Sequence, residues 1–341
     1  MRKKNDEIVS NAEAETEKRL DLEFNGIQLP AVLSLSPGTS KPKWGVVIVP
    51  GSFFNDLEGN YHKKDGNPFD ARPHMYSDLA RQLAGEGMAV LRYARAGKTV
   101  IDKSRSADSA AFAGRAEEVL QACRILRHAV PGLSQVAVAG HSEGSAAVLL
   151  TLTTRPDIPA DAFISLSGPG QRFFDIMIEQ SALNVKDGIL DMMGTKIPFA
   201  LFKESFRYIR EGKPVPEEIR KLFPPFAIQN MPPQALGYLR DYDRLDPVNA
   251  MARIGVPALV IQGGRDTSVL AENAVRLTTA AEKKSRDVSL AFFPDLNHFY
   301  KIVPPGTPPQ ANFGLDTETD EKVARTIAEW IHGLNIPTPS K

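Results

Sequence analysis

The sequence predicts an α/β fold, in which a mainly parallel central sheet is flanked by helices and carries an inserted helical segment. Two observations predict the sheet. Short runs rich in β-branched residues alternate with longer amphipathic stretches, and runs such as "WGVVIVPG" have the continuous apolar character of strands buried on both faces. Alternation of this kind favours parallel strands, because each one needs a long crossover to the next. A third observation indicates the insertion, since the alternation stops after Gly170 and resumes near Asp243.

The first part of the chain is predicted to hold an antiparallel hairpin and then alternating strands and helices. The segments "KRLDLEF" and "IQLPAVLSL" form the hairpin, joined by Asn25-Gly26, a pair that accepts the positive φ of a tight turn. After "WGVVIVPG" the predicted elements are, in order, the helix "MYSDLARQLAGEG", the strand "MAVLRY", a helix from Ala107 to Val130, the strand "QVAVAG", the helix "GSAAVLLTLTT" and the strand "DAFISLSG".

The second part is predicted to return to the sheet after a helical cap. Segments with a helical pattern, separated by Pro and Gly, are "RFFDIMIEQSALNV", "DGILDMM", "PFALFKESFRYIREG" and "PEEIRKLF". The sheet is then completed by a strand within "DRLDPVNAMARIGVPALVIQGGRD", the helix "VLAENAVRLTTAAEKK", the strand "DVSLAFFP" and the closing helix "DTETDEKVARTIAEWIHGL". We therefore expect a core of residues 1–169 and 243–341, with residues 170–242 as the cap.

Composition excludes several classes of function. The 41 basic and 41 acidic side chains cancel, so the overall charge favours neither nucleic acid nor an anionic membrane surface, and the expected partner is a small molecule. The single cysteine, Cys123, excludes an internal disulfide and is predicted to lie in the core. No apolar stretch follows the basic first residues, and no run of 18 apolar residues occurs, so a cytoplasmic protein is expected. The oligomeric state stays open, with a homodimer as one option.

The pentapeptide Gly140-His141-Ser142-Glu143-Gly144 carries the first functional prediction. It is a G-x-S-x-G motif that lies between the predicted strand "VAVA" and the predicted helix "SAAVLL". A serine at the tip of such a turn adopts a strained conformation that exposes its hydroxyl, and glycines on either side remove Cβ atoms that would clash. The helix behind the turn directs free N–H groups toward a developing anion. Ser142 is therefore the predicted nucleophile.

A serine hydroxyl also needs a base to take its proton and an acid to orient that base. Of the six histidines, only His298 follows the last predicted strand in a loop, "FFPDLNHFYK", from which it can reach the serine. Asp266 follows the penultimate strand in "ALVIQGGRDTSV", where two glycines precede it. We predict a catalytic triad of Ser142, Asp266 and His298. The competing acids are Asp243, Asp246 and Asp295.

The oxyanion formed during acyl transfer needs N–H donors, each of which contributes about 3 kcal/mol. The residue after the nucleophile, Glu143, is predicted to supply one from its backbone, and Ser52 in "PGSFFND" the second. The side chain of Glu143 is not expected to matter. The side chains predicted to contact substrate are Phe53, Phe54 and His141.

These motifs resemble those of the α/β-hydrolase superfamily, and more narrowly its bacterial carboxylesterases with a helical cap, the serine-aminopeptidase-like hydrolases. The resemblance runs from about Trp44 to Gly333 and rests on "GHSEG", "VIQGGRDTSV", "LNHFYK", "LSGPG" and "DPVNAMARIGVPALV". "PGSFFNDLEGN" is similar to the oxyanion loop, although glycine and proline are commoner in the family where this chain has Phe53 and Phe54. "RYARAGKT" departs as well, because Ala94 and Ala96 stand in a motif that usually carries an aspartate and two glycines.

The resemblance implies ester hydrolysis through an acyl-enzyme. Ser142 would attack the carbonyl, and His298 would pass the proton to the leaving group and then activate water, with no metal or organic cofactor. The apolar cap predicts a small to medium acyl or aromatic group. Two alternatives stay open: hydrolysis of an amide, peptide or thioester by the same triad, and a non-catalytic scaffold with this fold. The chain has no room for the propeller of a large oligopeptidase, and a serine nucleophile argues against a dehalogenase.

Overall fold

A large central sheet organises the protein, whose computed structural model describes residues 17–24, 26–36, 41–65, 67, 70–95, 111–284, 286–308, 311 and 314–336. The strands are β1 (Glu17–Phe24), β2 (Ile27–Ser34), β3 (Trp44–Val49), β4 (Ala89–Tyr93), β5 (Gln135–His141), β6 (Ala162–Leu166), β7 (Val185–Lys186), β8 (Ile189–Met192), β9 (Thr195–Pro198), β10 (Ala258–Gly263) and β11 (Val288–Phe293). The main sheet has eight strands in the order β1-β2-β4-β3-β5-β6-β10-β11.

The direction of the strands decides where the loops meet. Strand β2 is antiparallel to β1 and to β4, whereas all the remaining pairs from β4 to β11 are parallel. The predicted hairpin and the predicted mainly parallel sheet are therefore confirmed, although Asn25 of the turn lies outside the described residues. Because parallel strands end at the same edge, the loops after β3, β5, β10 and β11 emerge together.

Helices cover both faces of this sheet. They are α1 (Met75–Gly85), α2 (Gly114–Ala129), α3 (Glu143–Thr154), α4 (Phe173–Ala182), α5 (Phe199–Arg210), α6 (Glu217–Arg220), α7 (Pro233–Arg244), α8 (Pro247–Met251), α9 (Glu272–Glu282) and α10 (Glu321–Gly333). Val47 and Val49 of β3 belong to the apolar core under α2, α3 and α9, while Val46 and Ile48 belong to the core under α1 and α10. This alternation along a fully buried strand explains why β3 reads as a continuous apolar run.

The segment between β6 and β10 has an apolar cluster of its own, centred on Phe174, Phe202 and Phe206. It also contains a three-stranded antiparallel sheet, β7-β8-β9, so the predicted helix at "DGILDMM" is wrong. The segment forms a strand because two tight turns bound it. The residues with positive φ in these turns are Asp187, Gly188, Met193 and Gly194. Helix α7 in the same segment had not been predicted. The division into a core and a cap at residues 170 and 242 stays a prediction.

The long helix predicted from Ala107 differs at its start. Among the described residues it begins at Gly114, and residues 107–110 lie outside them. None of the helices that the structure describes is both long enough and apolar enough to cross a membrane.

Candidate active site

The turn between β5 and α3 holds Ser142 in a strained backbone conformation, with φ 53° and ψ −122°. Its N–H donates to the Leu166 carbonyl at 2.9 Å, which ties the turn to β6. A Cβ atom on Gly140 would lie 2.5 Å from the Gly144 carbonyl oxygen, and one on Gly144 would lie 2.3 Å from the Val49 carbonyl oxygen. Only glycine fits at both positions, as the motif predicted, and the partly exposed serine is held at the tip of the turn.

Asp266 and His298 meet at the edge of the sheet. His298 Nδ1 lies 2.7 Å from Asp266 Oδ2, and both residues are buried. The other carboxylate oxygen, Oδ1, accepts hydrogen bonds from the N–H groups of Ser268 and Val269, each at 2.8 Å. Burial opposes ionisation of Asp266, but the charge and hydrogen bond of His298 and these two N–H groups hold its pKa below the ordinary value. An ionised Asp266 can only accept, so Nδ1 carries the proton and Nε2 is the basic nitrogen.

Close backbone approach explains the two glycines before Asp266. A Cβ on Gly263 would lie 2.4 Å from the Leu296 carbonyl oxygen, and one on Gly264 would lie 2.6 Å from the Pro294 carbonyl oxygen. Hydrogen bonds from Gly264 N–H and Arg265 N–H then join the two loops at 2.8 and 2.9 Å. The glycines therefore let the loop that carries the acid lie directly against the loop that carries the histidine.

His141 places this pair beside the nucleophile turn, because the rings of His141 and His298 are 4.6 Å apart. His141 Nε2 lies 3.0 Å from the His298 carbonyl oxygen, which can only accept, so Nε2 is protonated. Burial lowers the pKa of His141 to about 3, so the ring is neutral and its Nδ1 accepts from the Tyr76 hydroxyl at 3.1 Å. Tyr76 in turn accepts from Gly51 N–H at 2.9 Å. His141 has no exposed surface, so the prediction that it contacts substrate is wrong; it supports the histidine loop instead.

The loop after β3 passes next to Ser142. A Cβ on Gly51 would lie 3.2 Å from the Cβ of Ser142, so the following Ser52 N–H is close to the nucleophile. Within the described part of the chain this N–H makes no hydrogen bond, and the N–H of Glu143, at the start of α3, lacks a partner by helix geometry. These are the two donors predicted for the oxyanion, and their roles stay a prediction.

The two phenylalanines of this loop differ in setting. Phe53 adopts a φ of 66°, is 45% exposed and lies edge-on to Tyr61 at 6.3 Å between ring centroids. Phe54 is partly buried, and the side chain of Asn67 hydrogen-bonds both its N–H and its carbonyl. Phe53 therefore presents an exposed apolar ring on the loop after β3, and substrate contact by either ring stays a prediction.

The side chain of Glu143 was missed by sequence reasoning. It is 4% exposed, pairs with Arg95 at 2.7 Å and accepts hydrogen bonds from the hydroxyls of Tyr238 at 2.7 Å and Ser52 at 3.1 Å. Burial opposes its ionisation, but the positive charges of Arg95 and Arg115 hold its pKa below the ordinary value. The expectation that this side chain does not matter to the reaction stays a prediction, but the structure gives the side chain buried partners that sequence reasoning did not foresee. A charged residue beside a buried strand was the available signal, because buried charges need partners.

None of the three competing acids contacts His298 in the part of the chain that the structure describes. Asp243 on α7 pairs with Arg210 at 2.7 Å, and Asp246 caps α8 by accepting from Asn249 N–H. Asp295 is exposed. Of the acids considered, only Asp266 is in contact with His298.

Metal binding is not indicated in the part of the chain that the structure describes, where no group of three or more His, Cys, Asp or Glu side chains could hold an ion. Independence from cofactors, a small-molecule partner and a homodimer all stay predictions.

This arrangement can perform acyl transfer. An imidazole that an ionised carboxylate orients lies against His141, the residue before the strained Ser142, and these are the groups that acyl transfer requires. Neutral His141 hydrogen-bonds the loop after β11, and buried Glu143 hydrogen-bonds the loop after β3, so both loops are tied to the serine turn.

Known proteins with related sequences and folds agree with this geometry. Residues 221–309, which include Asp266 and His298, match the prolyl oligopeptidase family. Over 325 residues the chain is 25% identical to Esterase EstD of Thermotoga maritima, which spans 95% of this chain and 70% of that protein.

Two solved structures share the fold. A highly thermostable carboxyl esterase from Bacillus coagulans has a TM-score of 0.54 at 15% identity, over 94% of this chain and 99% of that one. An acylaminoacyl peptidase from Pyrococcus horikoshii has a TM-score of 0.53 at 12% identity, over 93% of this chain and 41% of that one. With its mainly parallel sheet and its serine turn, this chain therefore has the α/β-hydrolase fold.

Proposed function

We propose that this chain is a carboxylic ester hydrolase that works through an acyl-enzyme on Ser142. The observation that carries the proposal is the contact of 2.7 Å between His298 Nδ1 and Asp266, in a pair whose imidazole lies 4.6 Å from the ring of His141, the residue before the strained Ser142. In the proposed reaction Ser142 attacks the ester carbonyl while His298 Nε2 takes its proton and passes it to the leaving alcohol. Water, activated by the same nitrogen, then releases the acid.

The proposed substrates carry a small to medium apolar acyl or aromatic group. The exposed ring of Phe53 supports this choice, since it offers apolar surface on the loop that passes next to Ser142. The similarity to Esterase EstD supports ester rather than amide cleavage.

A series of p-nitrophenyl esters from acetate to palmitate tests the proposal. We expect hydrolysis that is fastest at short to medium chains, and a fall in kcat of about 10³-fold or more in Ser142→Ala. Ser145→Ala is the matched control, because Ser145 lies in the same segment but hydrogen-bonds Ser165 at 2.8 Å, and it should keep its activity. Equal rates in the wild type and Ser142→Ala would contradict the proposal.

Amide or peptide hydrolysis by the same triad is the second candidate. The match of residues 221–309 to the prolyl oligopeptidase family favours it. A wild-type protein that cleaves acyl-amino-acid p-nitroanilides but none of the esters would replace the first candidate with this one.

A further inference from the structure

The loop that leaves β3 is clamped by two buried arginines. Arg115 Nη2 donates to the Pro50 carbonyl at 2.6 Å, and Arg95 Nη1 donates to the Gly51 carbonyl at 2.7 Å. Both guanidinium groups are at most a tenth exposed, so water does not compete for these bonds. The next residue along the loop is Ser52, whose N–H is the predicted second oxyanion donor.

Ser52 is held by a carboxylate that joins three separate parts of the chain. Glu143 Oε2 accepts from the Ser52 hydroxyl at 3.1 Å, and Glu143 Oε1 lies 2.7 Å from Arg95 Nη1. Oε1 also accepts from the Tyr238 hydroxyl at 2.7 Å, and that hydroxyl accepts from Arg95 Nη2 at 2.7 Å. One side chain thus links the nucleophile turn, the loop after β3 and helix α7 of the inserted segment.

The place of this carboxylate distinguishes it from an ordinary stabilising ion pair. A buried pair that acted only on stability could lie anywhere in the core, and its net contribution is often small. Glu143, by contrast, lies at the predicted oxyanion site. Its backbone N–H is the first predicted donor, and its side chain holds Ser52, whose backbone N–H is the second. The Gly51 carbonyl that Arg95 holds lies in the same planar peptide group as the Ser52 N–H. Removing the carboxylate would therefore release both the Ser52 hydroxyl and the arginine that fixes this peptide group, and the N–H could turn away.

We propose that Glu143 is a positioning residue, whose carboxylate fixes Ser52 so that the Ser52 N–H points at the oxyanion. The inference rests on the proposed function. Because an oxyanion forms only in the transition state, the loss should fall on kcat and leave KM nearly unchanged. Tyr238 extends the same role to α7, since its hydroxyl holds the carboxylate in place.

The rate of reaction with a fluorophosphonate measures this role without ester turnover, because the phosphoryl oxygen of the probe occupies the oxyanion position. We expect Glu143→Gln to react about 10- to 100-fold more slowly than the wild type, with KM for esters within about twofold. Tyr238→Phe keeps every charge and removes one hydroxyl, so it tests the same role in a variant that is expected to fold normally. Its rate of reaction with the fluorophosphonate should fall about 3- to 10-fold. If Glu143 acts through Ser52, Glu143→Gln/Ser52→Ala should be no slower than Glu143→Gln alone.

Asp243→Asn is the matched control. Asp243 is an equally buried carboxylate paired with an arginine, Arg210, and it lies on α7 without touching the loop after β3. This variant should unfold at a lower temperature but react at the wild-type rate. A Glu143→Gln or Tyr238→Phe protein that reacts within twofold of the wild type, or a control that slows equally, would overturn the positioning role alone. A folded wild type that does not react at all would overturn the proposed function and the inference together.

Discussion

His141 shows how a residue next to the strained Ser142 can act through its neighbours. Its neutral ring receives a hydrogen bond from Tyr76 and donates one to the His298 carbonyl, so it joins the loop after β3 to the histidine loop. A positive charge on this ring would remove the acceptor at Nδ1 and repel a protonated His298. The buried, neutral state is therefore the one in which the site can hold together.

This burial predicts a pH dependence of stability. The folded His141 resists protonation down to about pH 3, whereas its ordinary pKa is 6.5, so between these values the unfolded state binds the proton and the folded state does not. Stability should thus fall as pH falls through this window, by about 1.4 kcal/mol per pH unit from this group. Urea unfolding of the wild type and of His141→Gln, in the same buffers from about pH 6 to pH 4, isolates this contribution. Parallel curves for the two proteins would contradict it.

Single residues differ in how far the sequence could place them. Ser142, Asp266 and His298 were predicted because each follows a strand that the apolar pattern identifies, and parallel strands end at one edge. The burial of His141 and the ion pair of Glu143 could not be predicted. They depend on Tyr76, Arg95 and Tyr238, and Tyr238 lies 143 positions beyond its hydrogen-bond partner Arg95.

The strand, turn and helix around the nucleophile form one tightly packed unit. The Gly144 backbone lies against the carbonyl groups of β3, where a Cβ would meet the Val49 oxygen at 2.3 Å and the Pro50 oxygen at 2.7 Å. Neither oxygen can move without shifting the loop that carries Ser52.

Replacing this glycine should therefore destabilise the protein. We expect Gly144→Ala to lower the free energy of unfolding by about 2–4 kcal/mol, because backbone atoms cannot yield as a flexible side chain would. Gly237→Ala is the control: Gly237 lies within α7, where a Cβ would meet nothing within 4 Å, and the change should stabilise by about 0.5–1 kcal/mol. Urea midpoints at constant m-value measure both, and a Gly144→Ala protein as stable as the wild type would contradict the packing described here.

Elements could be predicted from the sequence where the apolar pattern continued over many residues. The prediction failed where two turns lie within a few residues of each other. The strands of the main sheet and helices such as α3 and α10 carry clear patterns. The segment "DGILDMM" contains apolar residues at helical spacing, yet it forms β8 because positive φ at Gly188 and Gly194 returns the chain twice within a few residues. The Asp187-Gly188 pair was a hairpin signal that outweighed the apparent helical period.

The molecule as a whole brings four distant loops to one edge of its sheet. The loops after β3, β5, β10 and β11 carry, in that order, Ser52, Ser142, Asp266 and His298. The inserted segment contributes Tyr238, whose hydroxyl donates to the Glu143 side chain at the start of α3. A parallel sheet makes such convergence a consequence of topology, which is why the fold and the meeting of Asp266 with His298 could be predicted together. The contacts between the insertion and the core depend on side-chain geometry that no periodicity encodes.

In the proposed function these loops assemble a reactive serine, and the most direct measurement is the location of a fluorophosphonate adduct by peptide mapping of the folded protein. We predict a single phosphonyl group on Ser142, formed rapidly in the wild type and at a rate lower by orders of magnitude in His298→Ala, which lacks the base. A folded wild type that carries no adduct, or carries it on another residue, would contradict the claim.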